Sequence, residues 1–476
     1  MKISFIKIAW RNLWRNRRRT AITTASILFA VFFALFMRSF QLGFYDHMIK
    51  NAIESFSGFL QVQHVDYQDD PSLDNTFIGS DSLINSLRSL DGIKAVVPRV
   101  ETFALASSGN QTKGALIIGI DPVQEKRLSN PENYLVRYRI TEQVMKALHE
   151  NEELPSTIQE KLDLIANNSY TNLGTIAMDM GIDMDKGDNG NFLDIIGRIS
   201  IIPGNYLTQD DDGVLVSDRL AKYLKLYIGD TLILLGQGYH GTTAAGIYPV
   251  RGIVKIPNPE LDNKLIYMNI PAAQAFSGLG SRITTLAINL DDNSEKNMLV
   301  YQDMLNKKLT GRNIVVKNWM EFNEVLMQQI QGDNQSGQAF MALLYFIIFF
   351  GIFGTVLMMI HERKREFGVM VAVGMQKTRL AITFIYEMFL MGILGVLAGT
   401  LVSLPFLLYF HFNPIRLSGD MAQVMNDMGF EPVMPLAWID MYVLWQGLIV
   451  AFMVVLACLY PLRKVVTLKE IDALRA

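Results

Sequence analysis

Residues 340–360 read FMALLYFIIFFGIFGTVLMMI, and residues 361–379 that follow read HERKREFGVMVAVGMQKTR. The first stretch carries no charge. A bilayer's hydrocarbon core is about 30 Å thick and a helix rises about 1.5 Å per residue, so roughly 20 apolar residues suffice to cross it. The second stretch opens on a charge cluster and then turns apolar again, which is unusual for a plain connecting loop. Working outward, residues 20–37, 380–410 and 441–460 form three further apolar runs. Four membrane-spanning helices are therefore expected. The first run is short; it is expected to continue toward residue 44 with Arg38 snorkelling to the outer interface, because a cation at the helix centre costs about 2.5–3.5 kcal/mol.

Charge patterning orients the chain. Lys2, Lys7, Arg11, Arg15, Arg17, Arg18 and Arg19 precede the first run; Arg363, Lys364, Arg365, Lys377 and Arg379 lie between the second and third; Arg463, Lys464, Lys469 and Arg475 follow the fourth. The segment between runs three and four has only Arg416. By the positive-inside rule both termini and residues 361–379 are cytoplasmic. Those segments hold 16 cations against the acids Glu362, Glu366, Glu470 and Asp472, a net of +12, whereas the chain as a whole has a net charge of −3. The rest therefore carries −15, so the long segment between runs one and two is acidic and extracytoplasmic. A cleavable signal peptide is the competing reading of the N-terminus, but the run lacks a clear small-residue cleavage site. Cys458 is the single cysteine and sits in the last run, so the outer domain is expected to be held by its own core without disulfides.

The expected organisation is an amphipathic elbow over 1–19, helix one over 20–44, an extracytoplasmic α+β domain over 45–337 and helix two over 338–360. A coupling loop follows over 361–379, then helix three over 380–410, an outer loop over 411–440, helix four over 441–461 and a tail over 462–476. In the elbow, Ile6, Trp10, Leu13 and Trp14 recur at helical spacing, suiting a helix lying in the headgroup boundary; a basic flank that only sets orientation is the alternative. In the outer domain residues 59–65, 99–106, 115–120, 231–235, 249–256 and 283–290 read as strands, and 217–225, 271–276 and 318–331 as helices. Residues 125–197, rich in Asn, Asp and Glu, read as a subdomain or insertion, and 331–338 (QGDNQSGQ) as a polar linker. Gly392, Gly395 and Gly399, like Gly351 and Gly354, suit close helix packing, either within this chain or against a partner.

Catalytic patterns are absent from the sequence. It holds no Gly-x-x-x-x-Gly-Lys-[Ser/Thr], no His-Glu-x-x-His and no Cys/His cluster. No catalytic residue, metal site or cofactor of its own is expected, and nothing points to nucleic acid. The acidic string 179–191 fails the calcium-loop pattern, since Gly187 falls at the fifth position from Asp183 and no Glu occupies the twelfth; it reads as a solvated loop. Glu387 lies seven residues into the third run, about 10 Å along it, near the inner headgroups. It suits either a bond to a neighbouring helix or a role in transport coupling. In 361–379 the apolar Phe367, Val369, Met370, Ala372 and Val373 suit a short helix that docks into a groove on a soluble partner.

At this loop the chain resembles the FtsX-like permease family, which includes the lipoprotein-releasing permeases and the macrolide exporter. Glu362-Arg363, Glu366-Phe367-Gly368 and Ala372-Val373-Gly374 are similar to the family's Glu-Arg, Glu-[Ile/Phe]-Gly and Ala-x-Gly pattern. Glu387 and the later glycines match its third helix, and 460–464 with 471–475 look like its tail. Residues 217–230 and 250–254 resemble its small helix and following strands. The resemblance implies two permeases, as homodimer or heterodimer, bound to two cytoplasmic ABC ATPase subunits that hold ATP and Mg. Glu362, Arg363, Glu366, Phe367, Gly368, Ala372 and Gly374 would couple each permease to its ATPase. Motion would pass to the outer domains of a multi-pass inner-membrane protein by mechanotransmission. Unlike the macrolide exporter, the sequence contains no ATPase domain.

Three functions fit by this analogy. The first is extraction of lipoproteins from the inner membrane and delivery to a periplasmic carrier. The second is peptide or drug efflux with a periplasmic adaptor, and the third a signalling module that activates a cell-wall hydrolase.

Overall fold

In lipid every backbone N–H and C=O must be satisfied within its own segment, so the apolar runs fold as helices. In the computed structural model, residues 5–15, 17–182, 189–417, 421, 425 and 433–467 are described. Residues 183–188 of the acidic string and the tail motif 471–475 lie outside them. The helices that make up the membrane unit are α1 (Phe5–Arg15), α2 (Arg17–Ile49), α3 (Glu324–Glu362), α4 (Lys364–Ala372), α5 (Lys377–Phe412) and α6 (Tyr442–Val466). Of these α2, α3, α5 and α6 are long and apolar enough to cross a membrane.

The polar stretch 331–338 is no linker: it continues α3 without a break. It contains no proline, and Ser336 Oγ donates back to the Gly332 carbonyl at 3.1 Å, so its polar side chains leave the helical backbone bonds in place. A Cβ on Gly337 would come 2.1 Å from Gln41 Nε2, so the glycine lets α3 approach α2.

With lipid outside, burial of apolar surface does not drive helices together, and close van der Waals packing does. A Cβ on Gly395 would meet Ile27 Cβ at 2.6 Å, one on Gly399 would meet Val31 Cβ at 2.8 Å, and one on Gly392 would meet Val454 Cγ1 at 3.3 Å. These three glycines thus pack α5 against α2 and α6 of the same chain. Around Gly351 and Gly354 of α3 there is open space. They lie among the exposed Phe346, Ile347, Phe350 and Met358, an apolar face that no described element of this unit covers. In α1, Ala9 and Leu13 are buried, while Ile6, Trp10 and Trp14 are exposed, so Leu13 leaves the expected interfacial stripe.

The second unit, Met48–Leu326 with Gly419–Glu431, is an α+β domain. Its main sheet has nine strands: β1 (Leu60–His64), β2 (Ile93–Ser108), β3 (Gln111–Ile120), β4 (Val214–Ser217), β5 (Thr231–Gln237), β6 (Thr243–Val254), β7 (Leu265–Asn269), β8 (Thr285–Leu290) and β9 (Ile314–Asn318). Their order is β9-β1-β8-β2-β3-β7-β4-β6-β5, and β5 pairs back onto β2, so six strands close into a barrel. Closure removes the exposed edges that an open sheet would present. The pairs β3–β7 and β4–β6 are parallel and the others antiparallel.

Strands β4, β7 and β9 escape the sequence reading. β4 and β7 are buried at every position and so lack the polar alternation that marks a half-exposed strand. β9 precedes the region read as a helix over 318–331, where the chain instead makes a short helix, Trp319–Phe322, before α3 starts. Within residues 140–196 a separate core gathers around Leu148, Leu162, Ile165, Ile176 and Ile196. Glu125 pairs with Arg99 of β2, and both side chains are fully buried.

Candidate functional site

The break between α3 and α4 falls at Arg363, whose φ of −98° and ψ of 6° leave the helical region. The other end of α4 closes with Gly374 at φ +103°, a conformation that favours glycine. There Met375 N–H donates to the Met370 carbonyl at 3.0 Å and Gly374 N–H to that of Val371 at 2.9 Å, the paired bonds of a Schellman cap. Met370 and Met375 both pack against the bundle core, completing the apolar contact that accompanies such a cap. Sequence thus fixes α4 as a short helix lying between two reversals of the chain.

Its residues divide by face. Arg363, Phe367 and Gly368 are buried in the bundle, and Phe367 meets Phe384 of α5 edge to face at 6.4 Å between ring centres. Glu362, Glu366, Val369, Ala372, Val373 and Gly374 are exposed, Val373 at 84%. The apolar set that pointed to docking therefore splits: Phe367 and Met370 pack against the bundle of their own chain, beside the buried Gly368, and Val369, Ala372 and Val373 are exposed. The amphipathic pattern places both groups on one short helix, but which side meets the bundle is visible only in three dimensions.

A chain of charges runs along this end of the bundle. Arg363 Nη1 lies 2.6 Å from Glu387 Oε2, with the two side chains 4% and 2% exposed. Arg363 Nε lies 3.2 Å from Glu366 Oε2, which also accepts from Arg15 Nη2 of α1 at 3.2 Å. The Arg363 guanidinium sits over the Phe367 ring at 5.0 Å. Glu387 is thus bonded to the junction of α3 and α4, and Arg15 extends the link to the elbow. Elbow, α4 and the third spanning helix are joined through named ions.

In the second unit two features escape the sequence reading. On β2, β5 and β6 the exposed side chains Phe103, Leu105, Ile233, Leu235 and Ile247 stand on one face, because Leu105 pairs with Leu235 and Ile233 with Ile247. Alternation was the available signal, but strand pairing alone assembles the patch. The other is a buried polar knot. Asp262 Oδ1 accepts from the N–H groups of Asp218 at 3.2 Å and Ile256 at 3.0 Å, and Oδ2 from that of Arg219 at 3.3 Å. Asp218 in turn accepts from Ser169 Oγ at 2.6 Å, tying in the 140–196 region. Burial, reinforced by the Asp218 carboxylate, pushes the Asp262 carboxyl up to about 7, and burial holds the Lys255 ammonium below its ordinary range. Among the described residues no group of three His, Cys, Asp or Glu side chains is placed to hold a metal ion.

Residues 339–469 match the C-terminal region of the FtsX-like permease family. Among solved structures, the periplasmic region of MacB from Actinobacillus actinomycetemcomitans is similar at 12% identity and a TM-score of 0.30, over 60% of this chain and 95% of that one. The extracellular domain of the noncanonic ABC-type transporter YknZ from Gram-positive bacteria is similar at 11% identity and a TM-score of 0.28, over 55% of this chain and 100% of that one. The family match spans α4 with both of its reversals, Glu387 and the α5 glycines, and over this region the chain is similar to the FtsX-like permeases.

Proposed function

We propose that α4 is the coupling helix of this permease and that the transporter moves lipoproteins out of the inner membrane toward the outer membrane. For coupling, the supporting observation is the exposure of Val369, Ala372 and Val373 on a helix fixed at both ends. Apolar side chains presented in this way fit a groove on a cytoplasmic ATPase. Arg363, Glu366 and Glu387 then pass the displacement of α4 into α3 and α5, while Phe367 and Gly368 hold α4 to the bundle. A second permease completes the assembly, and the uncovered face of α3 around Gly351 and Gly354 suits its contact.

The lipoprotein reading rests on the exposed face of Phe103, Leu105, Ile233, Leu235 and Ile247. Contiguous apolar surface of this kind on a water-facing domain marks a binding site, and acylated cargo or its carrier supplies matching chemistry. Photocrosslinkers at Phe103, Leu235 and Ile247 in cells, with captured partners identified by mass spectrometry, test it. Capture of acylated lipoproteins and a soluble carrier is expected. An adaptor with an outer-membrane channel would mean efflux, and a wall hydrolase alone would mean signalling; either result rejects lipoprotein release.

A further inference from the structure

At the end of the helices far from Arg363, α2, α3 and α6 border a cleft of about 350 Å³ lined by Arg38, Gln338, Tyr345, Tyr442, Trp445 and Gln446 among others. We infer that this cleft is a binding site for one glycerophospholipid of the membrane, held by its phosphate on Arg38 and by its acyl chains along α6.

Position comes first. Arg38 stands 18 residues beyond Thr20, the start of the first span, which is about 27 Å along a helix and so close to the far boundary of a hydrocarbon core about 30 Å thick. Tyr442 and Trp445 begin α6 at the same level, and tyrosine and tryptophan favour that boundary because their rings are apolar and their polar atoms reach the headgroups. The lining thus belongs at headgroup depth, within a single chain.

Charge comes second. Arg38 is only partly exposed, and its Nη1 donates to Gln41 Oε1 at 2.7 Å. No described carboxylate forms an ion pair with it. A guanidinium carries five N–H donors in a planar fork suited to two phosphate oxygens, and Arg38 lines the cleft. Water alone would not explain placing this cation among aromatic side chains at the membrane boundary; an anionic headgroup would neutralise it there.

Shape comes third. Tyr345 Oη donates to Gln446 Oε1, joining α3 to α6 across the cleft. Trp445, Leu448 and Phe452 fall on one stripe of α6 and are all exposed, which offers acyl chains a track toward the bilayer centre. A phospholipid seated here bridges α2, α3 and α6.

Native mass spectrometry of the full chain in detergent, titrated with phosphatidylglycerol, with diacylglycerol of the same chains or with inorganic phosphate, tests this. One phosphatidylglycerol per chain is expected, with diacylglycerol bound at least tenfold more weakly, as loss of a charge-assisted hydrogen bond implies. Arg38→Gln should reduce phosphatidylglycerol binding by about the same factor, and Arg38→Lys by less, because an ammonium lacks the planar fork. A melting measurement confirms that both variants fold. Equal retention by Arg38→Gln, equal binding of diacylglycerol, or saturation by inorganic phosphate alone would each overturn the proposal. A lipoprotein's acyl anchor carries no phosphate, so preference for phosphatidylglycerol also separates this cleft from a cargo site, and the crosslinking result for cargo stands or falls independently.

Discussion

Arg363 and Glu387 are almost wholly removed from solvent and sit 2.6 Å apart. Withdrawing two ions from water costs several kcal/mol each, and their attraction offsets that only while both are present. Glu387→Ala is therefore expected to lower the unfolding free energy by about 3–5 kcal/mol, whereas the double change Arg363→Met with Glu387→Leu recovers most of it. Chemical unfolding in detergent measures both, and an equal loss in the double variant would show that the ions do more than neutralise each other. Asp262 gives a pH test in the second unit. Its carboxyl keeps the proton up to about pH 7 in the folded chain, while an unfolded aspartate releases it near pH 4. Between those values the folded state binds the more protons, so stability falls as pH rises through this window and levels off above it. The decline amounts to something on the order of 4 kcal/mol at most. Melting of the second unit at pH 4.5 and 7.5 should show the decline in the native chain and not in Asp262→Asn; parallel slopes would assign the effect elsewhere.

At the scale of the element, the proposed coupling role has α4 separate anchoring from docking. Phe367→Ala removes a ring packed on Phe384 and is expected to cost about 3–5 kcal/mol, as large-to-small changes in a core do. Val373→Asp places a charge on an exposed side chain and should leave melting unchanged, yet abolish co-purification with the ATPase. Gly368→Asp would confound the two, because Gly368 is buried. Normal ATPase recovery with Val373→Asp and Ala372→Asp would remove α4 from the coupling interface. The same helix shows how far periodicity reaches. Its apolar residues suit a short helix, but Phe367 and Val373 look equally ready to dock until α5 occupies one side.

Across the whole molecule the two units are expected to fail separately. Phe103→Ser with Ile247→Ser should remove crosslinks to cargo or carrier while ATPase co-purification persists, and Val373→Asp should do the reverse. Loss of both contacts in either variant, at unchanged melting, would mean that cargo and ATPase bind interdependently. Four helices long and apolar enough to span and the α+β domain between the first two were legible because lipid imposes long uninterrupted apolar runs and half-exposed strands alternate. The charged loop at 361–379 was legible for the same reason: its apolar residues had no lipid to explain them. Strands β4 and β7 were not, since burial on both faces erases alternation. Nor was the barrel, whose closure depends on β5 finding β2 across more than a hundred residues. The sequence by itself determined which segments are long and apolar enough to span a membrane and that residues 361–379 suit a short helix. Only the tertiary structure decided that Gly395 and Gly399 meet α2, that Glu387 pairs with Arg363, and that Arg38 opens onto a cleft, because each of these depends on which surfaces distant helices present to one another.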